Sequence, residues 1–402
     1  MVNFKVREFN INPIVIALLV LPIFKPDSLE FVAPRMDTLY DAARIVSVFI
    51  VVALFILRKK KLAPVAVPII LLELWVIFTT LINHGHVSYV IINFVATMAL
   101  IIIIDCFSDD MPDLISGMLF VFELMLYISF LSVLRYYPEG MYNMTTTTSS
   151  QYYFLGNRNA IIFYALPAFF LTISHARISG NWIRAAVLIA VIYIQIIIVW
   201  SATSVIVLVL FGLLFFVGKK ELISKISLTT LFIIISILSL IVVSVGLLDR
   251  IPAISNFISH YLGKSATMSG RTYIWSLSLS LIKKHLLFGL GAGSHVLYHS
   301  RYYTGHNQYL NLMLEGGIPQ LLLFVTLIIY ITNHMWRTRG ANSSTYQLLF
   351  VILLCYFVEF IAEARLSEDL FLVCYFTYYI NTVDHYCILH DRSKKKVKFK
   401  IK

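Results

Sequence analysis

The sequence predicts an all-α, polytopic membrane protein with about twelve transmembrane helices and one large external loop. Three observations predict it. The chain of 402 residues is 59% apolar and only 13% charged. Its mean hydropathy is +0.84. Apolar runs near the roughly 20 residues that a bilayer-crossing helix needs recur along the chain. No soluble domain of this size needs so much apolar surface.

The expected spans cover residues 11–24, 39–57, 63–82, 87–105, 114–134, 159–174, 183–200, 202–217, 227–248, 309–333, 345–362 and 369–389. The first run follows Lys5 and Arg7 and has the look of a signal peptide. It lacks a small-residue cleavage site, so it is read as a retained span. The seventh and eighth spans are divided only by "SAT". The chain thus divides into helices one to nine over 1–248, an external loop over 249–308, and the last three helices with a basic tail over 309–402.

Charge gives the orientation. The formal net charge is +11, but seven basic residues lie in the tail "HDRSKKKVKFKIK". A basic tail beside a membrane marks a cytoplasmic end facing anionic lipid, and no nucleic-acid partner is expected. With the N-terminus inside, the inner loops carry 20 of the 32 Lys and Arg residues, among them Arg58–Lys61, Arg177, Arg184, Lys219, Lys220, Lys225, Arg337 and Arg339. The inner loop "DCFSDDMPD" is acidic and gives no support. Both termini are expected to be cytoplasmic. The four cysteines show neither metal-ligand spacing nor a disulfide framework, and read as soft apolar fillers.

Two external stretches stand out, 135–158 and 249–308. The second is rich in Trp, Tyr, Leu and Ile, which disfavours disorder. Within it, residues 272–287 place Ile274, Leu277 and Leu281 on one face of an expected amphipathic helix.

The stretch "GHNQYLNLMLEGGIPQLLLF" then enters the tenth span with polar groups that hydrocarbon disfavours. Asn307, Asn311 and Glu315 are spaced i, i+4, i+8 and share a helix face, with Gln308 beside them. Gly316, Gly317 and Pro319 are expected to break the helix, which is tolerated where backbone is buried in protein or lines a cavity. Asn307 is placed to cap the helix, and the free N–H groups there favour an anion. A plain helix entry near lipid headgroups explains the cap but not Asn311 or Glu315.

Arg271, in "SGR", suits a phosphate contact, or equally a side chain reaching for headgroups. Arg158, in "GNRN", stands at the outer entry of the sixth span, between two asparagines. Arg44 and Asp41 read as a structural pair. Glu359 and Glu363, with Arg365 following, stay open between structure and pathway. Together Arg158, Arg271, His306 and Glu315 outline a cationic cleft with one titratable imidazole, suited to an anionic lipid-linked headgroup. With no H-E-x-x-H, D-x-D or Cys/His cluster, neither a metal nor a cofactor is expected.

"SGRTYIW", "HLLFGLGAGS" and "GHNQYLNLMLEGGIPQLLLF", in this order, resemble the superfamily of O-antigen ligases and O-antigen or capsular polysaccharide polymerases. The resemblance is carried by residues 269–324. It implies a multi-span, lipid-donor glycosyltransferase of the GT-C type in the bacterial plasma membrane. Donor and acceptor would be undecaprenyl-diphosphate-linked oligosaccharides on the outer face, with chain length set by a separate regulator. Arg271 and His306 match the family's essential arginine and histidine as catalytic residues. Arg158 is a looser match to its second arginine, and Asn307, Asn311 and Glu315 would join it in binding substrate. Where many relatives carry Ser-Arg at the start of span eight, this chain reads "WSATSVIVLV". The "GNRN" entry resembles capsule-type polymerases and favours a polymerase. A ligase of the same superfamily, a flippase for lipid-linked sugars, and a membrane scaffold are the alternatives.

The orientation is testable by thiol labelling. A cysteine in place of Glu139 should react with a membrane-impermeant reagent on intact cells, and one in place of Lys60 only after the membrane is opened. The reverse pattern would invert the topology.

Overall fold

The computed structural model describes residues 12–144, 150–245, 271–293, 304–338 and 344–388. The chain is mostly helical. Its first half holds α1 (Pro13–Val20), α2 (Leu29–Val32), α3 (Pro34–Leu57), α4 (Ala66–Ile82), α5 (Val87–Cys106) and α6 (Met111–Tyr136). A small antiparallel sheet follows, with β1 (Tyr142–Met144), β2 (Ser150–Tyr153) and β3 (Gly156–Asn157) in that order. Then come α7 (Ile161–Ser179), α8 (Trp182–Val199), α9 (Ala202–Gly212, continued by a π-helical turn over Leu213–Val217), α10 (Lys220–Ile223) and α11 (Leu228–Val245). The last helices are α12 (Arg271–Lys284), α13 (Gln308–Thr338), α14 (Ser344–Glu359) and α15 (Glu368–Tyr378).

Among the described residues, six helical stretches are long and apolar enough to cross a membrane: α3, α5, Ser108–Tyr136 around α6, α7, α8 and α13. The α4, α9, α11 and α14 helices are apolar but shorter. A helix that is apolar all round belongs in a core. Accordingly α7 is 83% buried over its apolar window, whereas α3 is 17% buried and presents Phe49, Ile56 and Leu57 outward. Between α8 and α9 the chain turns at Trp200 in the left-handed region (φ 49°), so the division at "SAT" falls where the sequence places it.

The first expected span differs. Over 11–24 only Pro13–Val20 is helical, eight residues or about 12 Å, too short for a bilayer core. Pro22 brings no N–H to continue the ladder. The carbonyls of Pro22 and Ile23 are taken by the Arg44 guanidinium at 2.9 and 2.8 Å, and Ser47 Oγ donates to Leu19 at 2.7 Å. Arg44 also lies 3.6 Å from Asp41, which Lys25 contacts at 2.9 Å.

The α12 helix lies where an amphipathic helix is expected, with its buried face turned by one position. Arg271, Ile274, Trp275, Ser278 and Ile282 are buried, while Leu277 and Leu281 are half-buried. Trp275 and Ile282 pack with Leu310 and Leu314 of α13 and Val243 of α11. Of the expected external loop, residues 249–270 and 294–303 lie outside the described residues. So do residues 1–11 and the basic tail over 389–402.

The break in α13 is real. Gly317 leaves helical geometry (φ 71°, ψ −165°), which frees the carbonyls before it. The "GLGAG" turn runs alongside and meets them. Leu290 N donates to Leu314 O at 2.6 Å and Gly291 N to Glu315 O at 2.9 Å. Trp75 Nε1 takes Gly316 O at 2.7 Å, and Ile318 N donates to Leu286 O at 2.8 Å. Three carbonyls and one N–H at the break are therefore satisfied inside the protein, as buried backbone groups demand.

Residues of the basic loops are paired within the protein. Arg58 pairs with Asp110 at 3.0 Å and Lys60 with Asp109. Tyr386 Oη donates to Asp109 O at 2.9 Å, and Arg177 reaches Thr345 at 2.7 Å. The acidic loop that breaks the charge pattern is thus neutralised by the basic loop beside it.

Gly289→Ala should destabilise the fold. Its φ is +60°, and a Cβ there would sit 2.6 Å from the Glu315 carbonyl carbon. Gly305→Ala meets nothing closer than 3.4 Å and serves as the control. Thermal unfolding of the detergent-solubilised protein should show a loss of roughly 1–3 kcal/mol for the first and little for the second. Equal midpoints would contradict the bracing role of the turn.

Candidate functional site

The site assembles where α13 begins. His306 precedes the helix in the left-handed region, φ 44°. Its position is set by the next residue. Asn307 Oδ1 accepts from Leu310 N at 3.1 Å, an N-cap, while its Nδ2 donates to Ser239 Oγ of α11 at 2.8 Å and to Ile361 O at 3.0 Å. Gln308 N donates to Phe360 O at 2.9 Å, just past the end of α14. The start of α13 therefore abuts the end of α14, and opposite helix-end dipoles meet there. The Gln308 and Leu310 N–H groups, two of those on which the expectation of an anion at that terminus rests, are thus engaged within the protein.

The polar stripe is connected along its length. Asn311 Oδ1 accepts from Gly305 N at 3.3 Å, and Asn311 Nδ2 donates to Glu315 Oε1 at 2.9 Å. Asn307 is fully buried and Asn311 nearly so, and both shape the loop that carries His306. Glu315 is half-buried and lies beside the helix break.

Glu363 draws the remaining groups together. It follows α14 in an irregular link and is buried. Its Oε1 receives Arg271 Nη2 and Asn159 Nδ2, the latter at 2.7 Å, and its Oε2 lies 3.5 Å from His306 Nδ1. Arg271 and Glu363 are 7% and 9% exposed at the side chain. Removing one partner of such a pair leaves a buried charge, at a cost of about 3–5 kcal/mol. Arg271 keeps a second donor in reserve: its Nη1 is buried with no hydrogen-bond partner among the described residues.

The neighbouring side chains hold this arrangement. Asn157 Oδ1 accepts from the N–H groups of Asn159 and Ala160 at 2.9 and 3.1 Å, which turns the chain from β3 into α7. Ser201 Oγ donates to Asn159 Oδ1 at 2.7 Å, fixing the amide so that its Nδ2 faces Glu363. Two residues beyond Glu363, Arg365 pairs with Asp27 at 2.6 Å and lies over the Tyr164 ring at 5.3 Å. These contacts fasten the link between α14 and α15 to α7.

Among the sequence-derived candidates, Arg271 and His306 meet on Glu363. Arg158 does not join them. It is half-buried, its backbone N–H pairs with Gln151 O at 3.2 Å in the sheet, and among the described residues its guanidinium makes no hydrogen bond or ion pair with the cluster. Asn159, the next residue, is the one that reaches in. Glu363, open in the sequence between structure and pathway, is the hub; Asn159, there only a polar flank of Arg158, reaches it; Ser201 behind them escaped the sequence reading. The only signals were the charges near the end of span eleven and the asparagines flanking Arg158. Among the described residues no group of three or more His, Cys, Asp or Glu is gathered as a metal-ligand set.

No known protein family and no curated protein matches this chain.

Proposed function

We propose that the protein is a membrane glycosyltransferase that polymerises undecaprenyl-diphosphate-linked oligosaccharide repeat units into capsular, exopolysaccharide or O-antigen chains. One observation carries the proposal most. Arg271 and His306, distant in sequence, are both brought onto Glu363, so a buried cation with a spare donor stands beside a part-exposed imidazole. The motif resemblance and the apolar helices support the same reading. In this reading the fold is of the GT-C type with about twelve spans in a bacterial plasma membrane. The basic loops are cytoplasmic and the Glu363 cluster lies toward the outer face.

The chemistry runs as a displacement at the donor sugar. An acceptor hydroxyl oxygen attacks the anomeric carbon and forms the new C–O bond. The bond from that carbon to the phosphate oxygen breaks, and the lipid diphosphate leaves with the electron pair. His306 takes the hydroxyl proton as general base. Arg271, through Nη1, meets the charge on the leaving diphosphate. Glu315 and Asn311 line the way in, Asn307 frames the loop, and Arg158 supplies a further cation from the sheet. The reading uses no metal and no cofactor.

The test is a lipid-linked glycan profile of cells whose only copy carries His306→Ala at normal protein level. A single lipid-linked unit without a ladder is expected, with polymer reduced about 100-fold or more. A full-length ladder left on the carrier would point to a ligase. Accumulation of single units on the inner face would point to a flippase, and wild-type surface polymer would overturn the assignment.

A further inference from the structure

We infer that Glu363 is a positioning residue that holds His306 in its Nδ1–H tautomer and so presents Nε2 as the basic nitrogen. The inference deepens the proposed function and rests on it for what Nε2 does.

The argument begins with the two oxygens of Glu363. Oε1 receives both Arg271 Nη2 and Asn159 Nδ2, and Oε2 lies 3.5 Å from His306 Nδ1, a close approach without hydrogen-bond alignment. A carboxylate only accepts, so a hydrogen on the nearer imidazole nitrogen is the favoured arrangement, and a small turn of the ring aligns it with Oε2. The other nitrogen then keeps its lone pair. Exposure agrees with this division. Nδ1 is fully buried, yet the His306 side chain is 34% exposed, so the open part of the ring lies away from Glu363.

The arrangement is rigid on both sides. His306 sits at φ 44°, a conformation that a non-glycine residue holds only when its surroundings impose it. Gly305 N bonds to Asn311 on one side of it, and Asn307 caps the helix on the other. Glu363 is held by its backbone N–H to Glu359 O at 2.9 Å and by the Arg365 anchor two residues on. Asn159 is oriented by Ser201, so it offers its NH₂ and not its carbonyl. When Nε2 accepts the acceptor's proton, the imidazolium forms beside a carboxylate already in place.

The test uses ¹⁵N-histidine-labelled full-length protein in nanodiscs, with His306 assigned by the signal that His306→Gln removes. Wild-type protein should show a protonated Nδ1 and an unprotonated Nε2 in the neutral ring. This first arm needs no variant at Glu363, and an Nε2–H tautomer there would overturn the inference. Glu363→Gln is the second arm. Its single acceptor oxygen is claimed by Arg271 and Asn159, which leaves the amide NH₂ facing Nδ1. The ring should switch to the Nε2–H tautomer, and polymer should fall about 100-fold at unchanged protein level. Glu363→Asp should keep the wild-type tautomer and restore part of the polymer. An unchanged tautomer in Glu363→Gln would sink the positioning role. A switched tautomer with undiminished polymer would leave that role intact and refute the general base in the proposed function.

Discussion

A guanidinium and a carboxylate, each less than a tenth exposed, meet inside a mostly apolar protein. Desolvating two such ions costs several kcal/mol each, and only good geometry with added hydrogen bonds offsets it. The Arg271–Glu363 pair meets that demand through the hydrogen bond from Asn159. The pair thereby ties the start of α12 to the link between α14 and α15, and through Asn159 to the start of α7. Together with the packing of Trp275 and Ile282 on Leu310 and Leu314, it brings the imidazole and the guanidinium to one place.

The break in α13 depends on the same economy of backbone groups. A helix interrupted among apolar neighbours leaves carbonyls that must find donors. The "GLGAG" turn provides two and Trp75 a third. Glycine is required at Gly289 because the turn's backbone lies against the α13 backbone in a left-handed conformation, with no room for a Cβ. The turn is thus a structural brace, and it places α12 against the first turns of α13. Two of the three stretches behind the family resemblance meet on Glu363, and the third supports the helix that follows.

Much of the helical layout was legible because it is local. The runs at 87–105 and 114–134 became Val87–Cys106 and Met111–Tyr136, since apolar length alone defines such helices. The first span was not legible, because its end is set by Arg44 reaching back to Pro22 and Ile23. The face of α12 was displaced for a similar reason: Trp275 docks against α13, which periodicity inside the helix does not reveal. At the site, Arg158 attracted attention as a charge. The short strand at Gly156–Asn157 and the turn after it bring Asn159 to the cluster instead. Glu363 was visible as a charged residue near a helix end, but its partners lie 92 and 204 positions away along the chain.

The most direct measurement is reconstitution. Purified protein in liposomes would be given lipid-diphosphate-linked repeat units from the same cells, and products would be followed together with free lipid diphosphate. The account predicts a ladder of longer lipid-linked chains, one lipid diphosphate released per linkage, and neither from a folded Arg271→Ala protein. Lengthening at the wild-type rate by that variant, or no lengthening by the wild-type protein, would contradict it.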